Sequence, residues 1–99
     1  MSKPSNYRSA ITLLLKRIKD AGWVIDEVFN GKNWIECENS VQIAVAAVEG
    51  VDWATVWFYK IGSEASITFE RNPKPEKMVH TYTMALAHVI EPILDAWVD

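Results

Sequence analysis

The segment Trp53–Glu70 constrains the fold more than any other part of this chain, because it has the pattern of a β-hairpin. Its Gly62-Ser63 dipeptide predicts a two-residue turn with glycine first, whose twist matches that of paired strands. In that register Phe58 lies opposite Ile67, and side chains alternate between the two faces of the hairpin. One predicted face is entirely apolar and consists of Ala54, Val56, Phe58, Ala65, Ile67 and Phe69.

The second face of the predicted hairpin has aromatic residues on one strand and polar residues on the other. Each large ring can bury about 150–250 Å². Three bare rings would therefore equal or exceed the largest apolar patch of a typical monomer, about 300–600 Å². A helix of this chain or a partner must cover them. If a partner does so, the predicted binding residues are Trp53, Trp57, Tyr59, Thr68 and Glu70.

The first element of the chain is predicted to be a helix from about Asn6 to Ala21. Ser5 or Asn6 can cap its first amides, and Gly22 stands where a left-handed residue commonly ends a helix. Apolar residues recur at helical spacing and form one face, which consists of Tyr7, Ile11, Leu14 and Ile18.

A second hairpin is predicted over Trp23–Cys37, because Asn30-Gly31 is a strong signal for a tight turn. Two registers are open. A two-residue loop groups Val24, Val28, Ile35 and Cys37 with the charged Asp26. A three-residue loop, with Gly31 in the left-handed conformation, groups Trp23, Ile25, Ile35 and Cys37. We favour the second register and a bulged turn, since its apolar face carries no charge.

The two remaining elements are predicted to be helices. Residues 39–49 have Ser40 or Asn39 as a cap and Gly50 as a stop, although their β-branched residues also suit a strand. The final helix is predicted from Pro75 to about Val98, with a kink or break near residues 88–92 caused by Pro92. Its apolar stripe is Val79, Tyr82, Leu86, Val89 or Ile90, Ile93 and Trp97.

These elements predict a single α+β domain over residues 1–99, in the order α-β-β-α-β-β-α. The two hairpins form a four-stranded antiparallel sheet, and the helices pack on it. The C-terminal helix is the natural cover for the hairpin face that carries Trp57. With that cover, Trp57 and Tyr59 move toward the core, and Trp53 stays the most exposed ring.

The arrangement of elements resembles that of small bacteriophage and prophage proteins of unknown function. The resemblance rests on element order and on a few residues, namely Ala21-Gly22-Trp23, Asn30-Gly31 and Trp34. It covers most of the chain and implies a phage or mobile-element accessory protein, such as one that binds and blocks a host factor. No catalytic residue can be carried over from it.

Charge and composition limit the kinds of partner and the cellular location that we expect for this chain. The net charge is −3, yet residues 1–19 carry five basic side chains and no carboxylate. Most of these bases suit the end of a helix, and the acidic remainder of the chain would repel phosphate, which argues against nucleic acid. A single cysteine, Cys37, and the lack of an apolar run of membrane-spanning length predict a cytoplasmic location without membrane contact.

The sequence offers no constellation that points to catalysis, a metal or another cofactor. A metal site made of Cys37, His80 and His88 is the one candidate ligand set, and its histidines lie about 80° apart around an ideal helix. Asp26 becomes a candidate acid or base only if it is buried. We therefore predict that the protein is not an enzyme.

Recognition of another protein is the function that the residues favour. The partner would be a host factor that contacts the aromatic face of the 53–70 hairpin. The alternative is a structural homodimer with the aromatic rings buried inside each subunit. Such a dimer would join through the apolar segment 41–48 or through the C-terminal helix.

Overall fold

The computed structural model describes residues 3–98, in which three α-helices pack on an antiparallel sheet. Residues 1, 2 and 99 of the predicted domain lie outside the described residues. The helices are α1 (Tyr7–Asp20), α2 (Val41–Glu49) and α3 (Ala87–Trp97). The strands are β1 (Val24–Phe29), β2 (Trp34–Glu36), β3 (Trp53–Lys60), β4 (Ser63–Glu70) and β5 (Val79–Tyr82).

The sheet has five strands in the order β2-β1-β3-β4-β5, and each neighbouring pair is antiparallel. The predicted α+β class and the antiparallel sheet are confirmed. The predicted count of four strands and the element order are wrong, because β5 lies where the first part of the final helix was expected. Short 3₁₀ turns at Pro75–Lys77 and Met84–Leu86 flank this strand.

The fifth strand forms at the free edge of the 53–70 hairpin. Val79 pairs with Phe69, and Tyr82 pairs with Ile67. Three of its four residues are β-branched or aromatic, which suits a strand. Val79 and Tyr82 also fit the apolar stripe of a helix, so the spacing of apolar residues does not distinguish a helix from a strand in this segment. The open edge of β4 decided the outcome, because its backbone groups need partners.

The final helix is shorter than predicted, since it begins at Ala87 and not at Pro75. It continues through Pro92 without a break, although proline cannot donate to the carbonyl of His88. The helix contacts α1, and its buried residues join the core that the other helices share. The prediction that this helix covers the face carrying Trp57 is therefore wrong.

The 53–70 hairpin is confirmed, but its turn consists of Ile61 and Gly62. Gly62 has a φ of 78° and is the second loop residue, where a type II turn requires glycine. Phe58 consequently pairs with Ala65 and not with Ile67. Because this register differs by two residues, every side chain stays on its predicted face. The apolar face is buried, with each of its six side chains at most 3% exposed.

Neither predicted register of the β1–β2 hairpin is correct. Phe29 pairs with Trp34, so a four-residue connection joins the strands. The irregularity lies in β1 and not in the turn, because a bulge at Asp26 shifts the register against β3. The bulge changes the phase of side-chain alternation. As a result, both Ile25 and Val28 face the core, which neither simple alternation allowed.

The ends of α1 and α2 follow the sequence signals. The side chain of Asn6 accepts a hydrogen bond from the amide of Ser9 at 2.8 Å, and Gly22 is left-handed with a φ of 99°. The hydroxyl of Ser40 accepts from the amide of Ile43 at 3.2 Å, so the prediction of a helix over the 41–49 segment is confirmed. All three helices and the inward face of the sheet form one core.

Candidate functional site

One face of the sheet carries no helix within residues 3–98, and we call it the open face. It is defined by the side chains that alternate away from the core along the paired strands. Its aromatic residues are Phe29, Trp34, Trp53, Trp57 and Tyr59. Its acidic residues are Glu27, Glu36, Glu64 and Glu70.

Backbone pairing brings the rings and the carboxylates of the open face together. Trp57 lies opposite Glu27 on β1, and Tyr59 lies opposite Glu64 on β4. Phe29 lies opposite Trp34, and their ring centroids are 4.9 Å apart. Directly opposed residues of an antiparallel pair have neighbouring side chains, so Trp57 and Tyr59 each have a carboxylate beside them on the open face.

All five predicted binding residues lie on the open face. Trp53 and Tyr59 are each 46% exposed, and Trp57 is half-buried. The helix that was expected to cover Tyr59 and Trp57 packs elsewhere. The expectation that Tyr59 moves toward the core is wrong, whereas Trp57 is less exposed than Trp53. Trp53 is not more exposed than Tyr59.

The predicted binding residues near β5 have partners within the chain. The hydroxyl oxygens of Thr68 and Thr55 are 2.8 Å apart, so they form a hydrogen bond across the strands. The rings of Trp53 and His80 are 4.5 Å apart, and Nδ1 of His80 lies 3.7 Å from a carboxylate oxygen of Glu70. Among residues 3–98, Trp57 and Tyr59 have no such partner, which shifts the candidate site toward β1 and β2.

A shallow pocket of about 320 Å³ occupies this part of the open face. Its lining consists of Asp26, Glu27, Trp34, Trp57, Phe58, Tyr59 and Glu64. Trp34, Glu27 and Glu64 are not among the binding residues predicted from the sequence. Glu64 lies near the turn of the 53–70 hairpin, whereas the predicted polar residues, Thr68 and Glu70, lie toward its open end. The pairing of Phe29 with Trp34 joins these two rings on one face of the β1–β2 hairpin, but the bulge in β1 decides that this face belongs to the open face.

The bulge that shapes the pocket is held by the segment after β2. The amide of Cys37 donates to the carbonyl of Asp26 at 2.9 Å, and the side chain of Asn39 accepts from the amide of Ile25 at 3.0 Å. Asn39 and the preceding Glu38 both have positive φ, at 58° and 51°. Such values are sterically unfavourable for residues other than glycine and asparagine. Of the two residues, Glu38 therefore holds a sterically unfavourable conformation, whereas Asn39 is of a type that tolerates it.

The candidate groups for catalysis and metal binding do not come together. His80 lies on the open face beside Trp53, whereas His88 belongs to α3, and no group of three metal-ligating side chains occurs among residues 3–98. Asp26 is exposed. Cys37 is fully buried, and burial raises the pKa of its thiol to about 11.

The basic residues of the amino-terminal segment partly have local partners. A guanidinium nitrogen of Arg8 lies 2.6 Å from the carboxylate of Glu49, so α1 and α2 are joined by an ion pair. The ammonium group of Lys19 donates to the carbonyl of Asn39 at 2.9 Å. These bases belong to the helical layer, on the side of the sheet away from the open face.

No family model, curated protein or solved structure matches this chain. Within the part of the chain that the structure describes, no helix is both long enough and apolar enough to cross a membrane.

Proposed function

We propose that this chain is a small accessory protein that acts by non-covalent binding of another protein through the open face. One observation carries the proposal, namely the row of aromatic rings that no element in residues 3–98 covers. Trp34 is 55% exposed, and Trp53 and Tyr59 are 46% exposed. Large rings are over-represented among the residues that dominate binding energy at protein interfaces.

The rings on the open face are also held in place before any partner arrives. They project from paired strands, and Trp34 packs against Phe29. A surface that is already ordered loses little conformational freedom on binding, which favours affinity. The resemblance to phage and prophage proteins supports a host protein as the partner.

The alternative homodimer through segment 41–48 has less support. Ala44, Val45 and Val48 of this segment are buried in the core of their own chain. Ile43 is the large apolar side chain that α2 leaves exposed, at 39%. One such side chain is ordinary on a protein surface, whereas the open face presents several rings together.

Site-specific photo-crosslinking in the cells that express the protein tests the proposal. Thr81→p-benzoylphenylalanine carries the reactive group on the open face, and Gln42→p-benzoylphenylalanine carries it on the exposed side of α2. We expect a heterologous adduct from position 81 and none from position 42. Adding Trp57→Ala to the first variant should abolish the adduct while leaving the circular dichroism spectrum unchanged.

Two outcomes would contradict the proposal. The first is that equal adducts form from both positions, which indicates non-specific contact. The second is an adduct from position 81 with the mass of a dimer of this chain, which would make the open face a contact between identical subunits.

A further inference from the structure

The charges on the open face have one sign. Among the five strands, Lys60 is the one lysine or arginine residue, and it lies on the core side with its ammonium nitrogen 5.0 Å from the ring centre of Trp23. The open face therefore presents carboxylates and aromatic rings without a strand-borne lysine or arginine. A partner of complementary charge must be basic.

The carboxylates around the pocket are uncompensated within the chain. Glu27 and Glu36 pair directly across β1 and β2, and like charges in opposed positions of a sheet are unfavourable. Asp26, the neighbour of Glu27 on β1, also lines the pocket, and Glu64 lines it from β4. Within residues 3–98, none of these four carboxylates takes part in an ion pair. A cation seated between them would relieve the repulsion.

The rings beside these carboxylates also favour a cation. Trp57, Tyr59 and Trp34 line the same pocket, and the face of an aromatic ring attracts a positive charge through its quadrupole. A guanidinium group suits this pocket better than an ammonium group, because it stacks on aromatic rings and binds a carboxylate through two hydrogen bonds. The pocket volume of about 320 Å³ is at the lower end for ligand sites, so one long side chain fits it.

We propose that the pocket formed by Trp34, Trp57, Tyr59, Glu27 and Glu64 receives an arginine side chain from a basic segment of the partner protein. This inference rests on the proposed function, since it assumes that the open face binds a protein. The carboxylate of Glu27 pairs with the guanidinium, and the indole of Trp57 lies against its plane.

Peptide titration followed by NMR tests this inference without knowledge of the natural partner. The probe is a blocked octapeptide of alternating glycine and arginine, and the comparison peptides carry lysine or glutamate in place of arginine. We expect the arginine peptide to shift the indole Nε1–H signals of Trp34 and Trp57 but not those of the buried Trp23 and Trp97. The lysine peptide should bind several-fold more weakly, and the glutamate peptide should not bind.

The variant Glu27→Gln separates a binding role from a structural one. We expect it to weaken binding of the arginine peptide about tenfold or more and, because it removes a like-charge pair, to raise the melting temperature of the free protein by about 2–5 °C. Asp95→Asn, on the exposed side of α3 and outside the pocket, is the matched control for peptide binding and should leave that binding unchanged.

Three results would overturn the arginine inference. These are the absence of binding up to about 1 mM peptide, equal affinity for the arginine and lysine peptides, and equal affinity of the wild type and Glu27→Gln. If the crosslink from position 81 still forms, the open face binds its partner through other chemistry, and the proposed function stands. A dimer of the wild type that Glu27→Gln abolishes would instead assign the pocket to a basic residue of a second copy.

Discussion

At the scale of single residues, the ring and the hydroxyl of Tyr7 have opposite effects on the stability of the fold. Its hydroxyl is buried and has no hydrogen-bond partner among the described residues, while the guanidinium of Arg71 lies 4.8 Å from the centre of its ring. Burial raises the pKa of Tyr7 to about 12. The ring therefore contributes through packing, and its hydroxyl opposes folding because it has lost its contact with water.

We predict that Tyr7→Phe raises the free energy of unfolding at neutral pH by about 1 kcal/mol, because it removes an unpartnered hydroxyl. The unfolded chain loses the phenolic proton near pH 10, whereas the folded chain keeps it until about pH 12. The wild type should consequently lose stability as the pH rises through this interval, and that part of the loss should be absent from Tyr7→Phe. Urea denaturation at about pH 7, 10 and 11 measures both effects.

The control for the Tyr7 prediction is Tyr59→Phe, at an exposed tyrosine on the open face. This change should leave the unfolding free energy at neutral pH within about 0.5 kcal/mol of the wild type. A loss of stability in Tyr7→Phe would mean that the hydroxyl makes a stabilising hydrogen bond.

The thiol of Cys37 provides a second test at the residue scale. Its side chain is 0% exposed, and burial raises the pKa of the thiol to about 11, with smaller contributions from the charges of Asp26 and Glu27. The thiolate is the reactive form, so we predict that a disulfide reagent at neutral pH reacts at least about 100-fold more slowly with the native protein than with the urea-unfolded one. Rapid labelling of the native protein would show that the segment after β2 opens readily.

At the scale of elements, the bulge in β1 depends on the left-handed residues that follow β2. Asn39 accepts a hydrogen bond from the amide of Ile25 and donates its own amide to the carbonyl of Ile25 at 2.9 Å. These two bonds hold Ile25 from the β2 side of β1, next to the position where the pairing of β1 with β3 shifts by one residue. Because the bulge sets the phase of β1, it also decides that Glu27 points to the open face.

We predict that Asn39→Ala lowers the free energy of unfolding by about 2 kcal/mol. The variant loses the side-chain hydrogen bond, worth about 1 kcal/mol, and alanine tolerates a φ of 58° less well than asparagine does. Asn39→Asp keeps the acceptor oxygen and serves as the matched control. Chemical denaturation measures both, and equal stability of the two variants would contradict the role assigned to the side chain.

At the scale of the whole molecule, the distribution of tryptophan follows the division of the sheet into a covered and an open face. Trp97 and Trp23 are buried in the core, at 0% and 4% exposure. Trp34, Trp53 and Trp57 belong to the open face. The protein therefore uses the same residue type both as core filler and as surface, and the difference lies in where the helices pack.

We predict that Trp97→Ala and Trp57→Ala differ sharply in their effects on stability. Trp97→Ala should cost about 3–5 kcal/mol, as expected for a large ring removed from a core. Trp57→Ala should cost about 1 kcal/mol, because it loses cross-strand contacts on a half-buried surface. Thermal or urea unfolding measures both, and an equal loss in the two variants would contradict the assignment of Trp57 to a binding surface.

The candidate site could be predicted in part. Alternation along the 53–70 hairpin correctly placed Trp53, Trp57 and Tyr59 on one face, because a register error of two residues leaves each face unchanged. Trp34 and Glu27 could not be added from the sequence, because their direction depends on a bulge. That bulge is held by Asn39, which lies 14 residues beyond Ile25 in the chain.

The sequence by itself determined the features that depend on neighbouring residues, such as the ends of α1 at Asn6 and Gly22 and the two faces of the 53–70 hairpin. Only the tertiary structure decided that Val79–Tyr82 is a strand and that α3 packs beside α1. The physical reason is that an apolar stripe in the sequence indicates only that one face of an element must be buried. Which surface buries it depends on the free edge of β4 and on the shape of the shared core, and this choice leaves the open face without a cover within residues 3–98.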